Sequence, residues 1–171
     1  RIHAGCAARP ALNPYTVLAP VYDLVAGPAF QRAREASLAP LREAAAADVF
    51  LDGVGTGLDF PLLPTQHRYA ALDLTHAMMR RAAPRARGFD MVWTQGDSER
   101  LPFRDAAFDY AVLHLIVAVV PHPARALAEA ARIVRAGGAL LVFDKFLRRD
   151  ARATLRRALS PLAARMATRT D

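Results

Sequence analysis

Apolar and polar positions fall in blocks along this chain, and the blocks punctuated by Gly and Pro read as alternating helices and strands. Residues 15–26 and 28–44 read as two helices separated by Gly27-Pro28. Asp48–Asp52 is a short strand that runs into a glycine-rich turn, and Leu58–Leu63 is a short helix closed by Pro64. Tyr69–Leu74 is the second strand. Thr75 then stands at the N-cap position of a helix reaching about Ala86, ahead of Gly88. Phe89–Thr94 is the third strand and Phe108–Leu115 the fourth, whose nearly continuous apolar run predicts burial on both faces. Pro123–Val134 is helical with Gly137-Gly138 as its stop, and Ala139–Phe143 is the fifth strand. Near the end, Leu155, Leu159, Leu162 and Met166 form one apolar helical stripe with Arg152, Arg156 and Arg157 largely off it. This order predicts an α/β fold, a mainly parallel sheet with helices on both faces. It forms one domain: a leader at 1–14, cap helices at 15–44, a core at 45–147 and a basic amphipathic helix at 148–171.

Composition narrows the picture. The longest apolar stretch, Ala111–Val120, is interrupted by His114 and is about half of what a bilayer span needs. With Cys6 alone, the chain builds neither a disulfide framework nor a thiolate zinc site, and no two histidines have metal-ligand spacing, so no metal is expected. The first twenty residues lack an unbroken apolar run, which makes the cytoplasm the expected location. The first residue is Arg rather than Met, so a processed or partial chain is expected. Of the net charge of +7, residues 148–171 contribute seven Arg against Asp150 and Asp171, leaving the rest nearly neutral. A nucleic-acid partner is therefore not expected. The basic helix either packs on its own domain or lies peripherally on an anionic membrane surface.

The chemistry-bearing residues gather at predicted strand ends. The first strand ends in Gly53-Val54-Gly55-Thr56-Gly57, where backbone amides can approach a ligand without Cβ obstruction. Leu58 stands where a dinucleotide fingerprint needs its third glycine, and no GK[ST] ending follows, so neither a dinucleotide nor a phosphate-cradling loop is indicated. Asp73 ends the second strand 20 residues after Gly53, where a carboxylate can accept ribose hydroxyls. Gly96-Asp97-Ser98 follows the third strand and brings another carboxylate to the same sheet edge, within reach of an exocyclic amine. Together they describe an adenosine slot without a phosphate site. His114, at the end of the fourth strand, is the candidate general base, or else a histidine that caps that strand. His67, His76 and His122 fall in turns or helix starts and are expected in solvent.

On these residues the chain resembles the class I S-adenosylmethionine-dependent methyltransferases, in particular the group of ubiquinone/menaquinone C-methyltransferases and bacterial phosphatidylethanolamine N-methyltransferases. The resemblance spans roughly 15–147 and rests on six segments in order. These are Tyr22-Asp23, GVGTGLD at 53–59, ALDLTHAMMRRA at 71–82, QGDSERLPF at 95–103, FDYAV at 108–112 and PARALAEAARIVRAGGALLVFD at 123–144. It implies a Rossmann-like class I methyltransferase fold, S-adenosylmethionine as cofactor with S-adenosylhomocysteine as product, and methyl transfer to a small-molecule or lipid acceptor by in-line displacement. It further implies that Gly53, Gly55 and Gly57 line the methionine half, that Asp73 holds the ribose, and that Leu74 and Met78 pack on the adenine. Asp97 takes the adenine amino group, Ser98 offers backbone contacts beside it, and Tyr22 closes the cofactor end. Two departures stand out. Leu51 occupies the place of the usual acidic residue, with the acid one later at Asp52, and the C-terminal antiparallel hairpin is missing, which would leave the fifth strand as a sheet edge, so the expectation is that the chain is a fragment, that the rest of it escapes the structure, or that a second copy covers the edge as in a homodimer. Two other readings share the fold: a non-catalytic cofactor-binding scaffold, and an RNA or protein methyltransferase. The latter is disfavoured by the near-neutral body and the absence of an NPPY-like motif after the fourth strand.

Overall fold

The computed structural model describes residues 30–144. Tyr22, the leader 1–14, the segment 15–26 and the basic segment 148–171 lie outside the described residues.

Five strands form one sheet in which every neighbouring pair is parallel: β1 (Asp48–Asp52), β2 (Arg68–Asp73), β3 (Asp90–Gln95), β4 (Phe108–His114) and β5 (Val134–Phe143), in the spatial order β3-β2-β1-β4-β5. Reversal of direction beside β1 leaves the carboxyl ends of β1, β2 and β4 side by side, the place where open α/β sheets bind ligands. The period of two along each strand sorts the apolar residues between two faces. Val49, Leu51, Tyr69, Val112 and Leu141 join one core, whereas Phe50, Ala70, Leu72, Ala111 and Leu113 join the other. The first core is covered by Leu38, by Leu41 of α2 (Ala39–Glu43), by Phe60 and by Ala82 of α3 (His76–Ala82). The second is covered by Ala130 and Ile133 of α4 (Pro123–Ile133), by Leu101 and by Val117. Phe50, Phe103 and Phe108 pack edge-on or tilted with centroids 5.1–5.5 Å apart, filling the space under β1 that alanine-rich α4 leaves.

Three sequence expectations change. The helix read over 28–44 is divided: residues 30–37 are helical (α1), Leu38 turns, and α2 follows. Pro40 has no amide proton and its ring collides with the carbonyl four residues earlier, so one uninterrupted helix cannot pass through it. Gly137-Gly138 is not the stop of α4. That helix ends at Ile133, where the amides of Ala106 and Ala107 donate to the carbonyls of Arg132 and Ile133. Val134 then enters β5 directly, and two steps along β4 from Phe108 to Tyr110 match five along β5 from Val134 to Ala139. The glycines serve this bulge. Gly137 has φ +84°, and a Cβ on Gly138 would collide with the backbone carbonyl of Asp109. Gly138→Ala is therefore expected to lower unfolding free energy by about 1–3 kcal/mol, readable as a shift of the urea midpoint. The third change is His67, which is buried rather than solvated: its Nδ1 accepts from Ala47 N–H at 3.2 Å and its Nε2 lies 2.7 Å from the Leu41 carbonyl. His67→Leu would strand both backbone groups and is expected to cost roughly 1–3 kcal/mol, again visible in urea.

Among the described residues β5 is an edge of the sheet, and no antiparallel strand follows it. No helix among the described residues is long and apolar enough to cross a membrane.

Candidate active site at the carboxyl edge of the sheet

The turn after β1 is fixed by its neighbours before any ligand is considered. Val54 N–H donates to the Leu72 carbonyl at 3.0 Å, Gly55 N–H donates to Asp73 Oδ2 at 2.9 Å, and the Arg85 guanidinium donates to the Thr56 carbonyl. Gly55, at φ +53°, takes the left-handed conformation that L side chains resist, and a Cβ there would meet only the Gly53 carbonyl, 4.0 Å away. The space above it is open. Gly53 is also left-handed, but a Cβ on it would press into Ile116 at 2.6 Å, so β4's following loop seals that side.

This turn borders a cavity of about 560 Å³, lined mainly by residues at and just after the ends of β1, β2, β3 and β4, with Arg34 of α1 on its wall. Gly53, Gly55, Asp73, Leu74, Met78, Asp97, Ser98 and His114 all face it, together with Leu115, Ile116, Val119 and Val120 of the segment after β4. Gly57 does not line it; a Cβ there would strike Phe60 at 2.9 Å, so its smallness serves packing under the turn. Leu74 is 63% exposed at the cavity mouth, where it offers an apolar surface.

The carboxylates differ in their work. Asp73 is buried and already accepts three hydrogen bonds: Gly55 N–H on Oδ2, and Thr75 N–H at 2.9 Å and Thr75 Oγ at 3.2 Å on Oδ1. A carboxylate offers about four acceptor positions, so a ligand hydroxyl has one left to use. The Thr75 hydroxyl is thereby spent on Asp73 and makes no cap bond to α3. Asp97 is exposed and accepts the Glu99 N–H at 2.9 Å, which folds the turn after β3. Ser98 turns inward: its hydroxyl donates to Asp52 Oδ1 at 2.6 Å.

Asp52 is a residue that sequence reasoning left without a role. It ends β1 only 3% exposed, and among the described residues its Oδ2 has no partner. Burial disfavours its charged form, Asp73 and Asp97 add repulsion, and the hydrogen bonds from Ser98 and Gly53 offset part of this, leaving its carboxyl pushed up to about 6.

Over β4, His114 is buried with Nδ1 3.1 Å from Asp59 Oδ1 and Nε2 3.0 Å from Ser37 Oγ, its ring edge-on to Phe143. Both ring nitrogens thus meet protein groups. Asp59 also approaches Arg34 of α1, with Nε to Oδ1 at 3.1 Å. Asp59 is the last residue of the GVGTGLD segment, but nothing in the sequence links it to Arg34 or Ser37, which only the packing of α1 brings near. His122 is exposed as expected, yet paired: Glu99 accepts both its N–H and its Nδ1 contact at 2.7 Å, tying the loop after β3 to the start of α4. His76 is exposed. No group of three or more His, Cys, Asp or Glu side chains among the described residues could hold a metal ion.

A parallel sheet in the order 3-2-1-4-5, a glycine turn after its first strand and carboxylates at the ends of the next two define a class of nucleoside-binding α/β domain. Residues 51–142 match the methyltransferase domain profile, and the chain belongs to that family. It is 33% identical over 132 residues to a phosphatidylethanolamine N-methyltransferase of Cereibacter sphaeroides, covering 75% of this chain and 64% of that one. It is 38% identical over 77 residues to the ubiquinone/menaquinone biosynthesis C-methyltransferase UbiE of Roseobacter denitrificans, covering 43% of this chain and 31% of that one. A solved S-adenosylmethionine-dependent methyltransferase of Thermotoga maritima shares the fold with a TM-score of 0.61 at 24% identity, over 87% of this chain and 65% of that one. The chain spans less than two thirds of the length of these curated relatives.

Proposed function

We propose that this chain carries the cofactor-binding core of an S-adenosylmethionine-dependent methyltransferase that modifies a small-molecule or lipid acceptor. The observation that carries the reading is the juxtaposition of Asp73 and Asp97, on adjacent strand ends, over one cavity floored by an open glycine turn. The residues fit the cofactor: Asp73 keeps an acceptor position for ribose hydroxyls, Leu74 and Met78 offer an apolar shelf for a purine, and Asp97 can accept from an amino group. The amides of the glycine turn and the buried Ser98–Asp52 pair lie beside them, and Tyr22 is assigned by resemblance alone. When bound, S-adenosylmethionine supplies an electrophilic methyl group on a sulfonium.

The chain's own part is then to align and to dry the site. Leu115, Ile116, Val119 and Val120 form an apolar wall that excludes water, and orientation of two bound partners is worth at most roughly 7–11 kcal/mol. His114 is the candidate general base by its place on the cavity wall, with Nε2 held by Ser37 and Nδ1 facing Asp59. Similarity to a lipid N-methyltransferase and a quinone-pathway C-methyltransferase supports a lipid or small-molecule acceptor. Cytoplasmic location and a peripheral membrane contact through residues 148–171 belong to the same reading.

Calorimetric titration with S-adenosylhomocysteine tests it. Saturable one-to-one binding is expected, with no heat from NAD at the same concentrations. No binding of S-adenosylhomocysteine would sink the assignment.

A further inference from the structure

The loop that carries Asp97 and Ser98 is fastened along α4, a helix none of whose residues lines the cavity. Residues 96–107 form no helix of their own. Ala106 within them has φ +50°, a left-handed backbone that a residue with a Cβ adopts only where its surroundings impose it. Those surroundings are the two ends of α4. At its start, Glu99 Oε1 accepts the His122 N–H at 2.7 Å; at its end, the amides of Ala106 and Ala107 donate to the carbonyls of Arg132 and Ile133.

Between these ends one side chain organises the loop. Arg132 lies side-on to Glu129, with Nε to Oε1 and Nη2 to Oε2 both at 2.8 Å. Its remaining N–H groups all go to the loop: Nη2 donates to the Leu101 carbonyl at 3.2 Å, and Nη1 to the Phe103 carbonyl at 2.8 Å and to Asp105 Oδ1 at 2.7 Å. Every donor of the planar guanidinium is thereby used. Glu129 Oε2 also accepts the Leu101 N–H at 2.8 Å, so both backbone groups of Leu101 end on this one ion pair. The bonds from Arg132 hold the Glu129 carboxyl below the ordinary carboxylate range, although partial burial works against them. With 30% and 23% of their side chains exposed, the two residues contribute little as a charge pair, and the fixed fork of donors is what shapes the loop. Leu101 then sets Asp97. Its neighbour Arg100 donates its N–H to the Asp97 carbonyl at 3.0 Å, and Asp97 Oδ1 accepts the Glu99 N–H at 2.9 Å. On the near side, Asp97 is flanked by the Gly96 N–H on the Asp73 carbonyl and by the Ser98 hydroxyl on Asp52. The return of the chain over residues 100–105 is what Arg132 fixes.

We propose that Arg132 is a positioning residue for the purine side of the cavity: held by Glu129, it fixes the loop over 97–105 so that the Asp97 carboxylate stands in place before a nucleoside arrives. It acts through Leu101 and Arg100 and touches no ligand. A group already in place loses little freedom on binding, so its hydrogen bond counts in full toward recognition of the base. Lysine would keep the charge, but three donors on one atom cannot span acceptors on Glu129, Leu101, Phe103 and Asp105 together. The role of Asp97 toward an adenine amino group rests on the methyltransferase reading; the bracing of the loop by Arg132 rests on the hydrogen bonds alone.

The test is titration of the full chain with S-adenosylhomocysteine and with S-inosylhomocysteine, in which a carbonyl replaces the amino group of the base. Wild type is expected to prefer the amino form by about tenfold or more, because a carboxylate accepts from an amine and repels a carbonyl. Arg132→Gln and Arg132→Lys are both expected to shrink that preference to about twofold, chiefly by weakening the amino form, since Asp73 still serves the ribose of both ligands. In an Asp97→Ala background, Arg132→Gln is expected to change the preference no further, as befits two residues acting in one chain of contacts. A general loss of stability would instead weaken both ligands alike. Equal weakening, or an undiminished preference in folded Arg132 variants, overturns this role for Arg132. Amide hydrogen exchange on ligand-free wild type needs no variant, so a substitution that unfolds the protein leaves the test intact: the Leu101 N–H is expected to exchange at least about a hundredfold more slowly than in an unstructured chain, and an unprotected Leu101 overturns the role as well. If S-adenosylhomocysteine binds wild type while either of these failures occurs, the methyltransferase reading stands without Arg132. If wild type binds neither ligand, that reading falls and takes this role with it.

Discussion

Asp73→Ala is expected to weaken S-adenosylhomocysteine binding by at least about a hundredfold, equivalent to roughly 2.7 kcal/mol. Two losses add to give this. A hydrogen bond from a ligand hydroxyl to the carboxylate's remaining acceptor position is worth about 1.5–3 kcal/mol, and alanine offers none. The substitution also releases the Gly55 N–H, which donates to Asp73 Oδ2, and the Thr75 N–H, which donates to Oδ1. The turn that floors the cavity then loses one of its anchors, and a folding penalty of roughly 1–3 kcal/mol accompanies the loss of affinity. Asp73→Asn separates the two effects. Its carbonyl can still receive one of those amides, so stability should fall less, whereas the ligand faces an amide in place of a charge and affinity should fall nearly as far. Calorimetry and urea unfolding on both variants read the two quantities independently. Wild-type affinity in Asp73→Ala would show that this carboxylate only braces the turn.

The strands were legible because burial on both faces of a parallel sheet favours short, nearly continuous apolar runs, and Val49–Leu51 and Tyr110–Leu113 stand out as such inside Asp48–Asp52 and Phe108–His114. Parallel topology then carries function with it: when strands share a direction, residues at their carboxyl ends share an edge, so Asp73 and Asp97 could be brought together from their place in the chain. What could not be read depends on contacts that no local period encodes. His67 meets Leu41 and Ala47, 26 and 20 residues away, and so is buried although its neighbours in sequence read as a turn. Ser37 and His114 are 77 residues apart and meet only because α1 lies across the end of β4. The glycine pair at 137–138 reads equally well as a helix stop or as a bulge; the amides of Ala106 and Ala107, from a distant loop, already complete the end of α4 and leave the bulge. In the glycine turn, spacing marks three similar residues, yet Gly55 opens onto the cavity while Gly57 packs on Phe60.

The site therefore has two electrostatic halves joined through the turn. At the ends of β1, β2 and β3, Asp52, Asp73 and Asp97 accumulate negative charge with no Arg or Lys among the residues lining the cavity there; on the β4 side, Arg34 balances Asp59. An acidic half suits a cationic ligand, and its cost falls on the most buried member.

That cost makes Asp52→Asn the substitution with the largest expected gain in stability. The folded-state carboxyl is pushed up to about 6 from an ordinary 3.8, so between these values the folded chain holds a proton that the unfolded chain has released. Stability is then highest below pH 3.8 as far as this group is concerned, declines as pH rises through the window, and has lost the full contribution above about 6. At neutral pH the penalty is on the order of 3 kcal/mol. Asparagine is nearly isosteric, keeps an oxygen for the Ser98 hydroxyl and carries no charge, so Asp52→Asn should be more stable than wild type at pH 8 and nearly equal to it at pH 4. Urea midpoints at the two pH values check this, and a difference that does not shrink on acidification would contradict it. The same carboxyl gives a signature of binding. A ligand ammonium or sulfonium near the acidic half favours the ionised form, so binding at pH 6 should release part of a proton that is already absent at pH 8. Titration of S-adenosylhomocysteine in buffers of different ionisation enthalpy measures that release, which should vanish in Asp52→Asn; an unchanged release in the variant would assign the proton to another group.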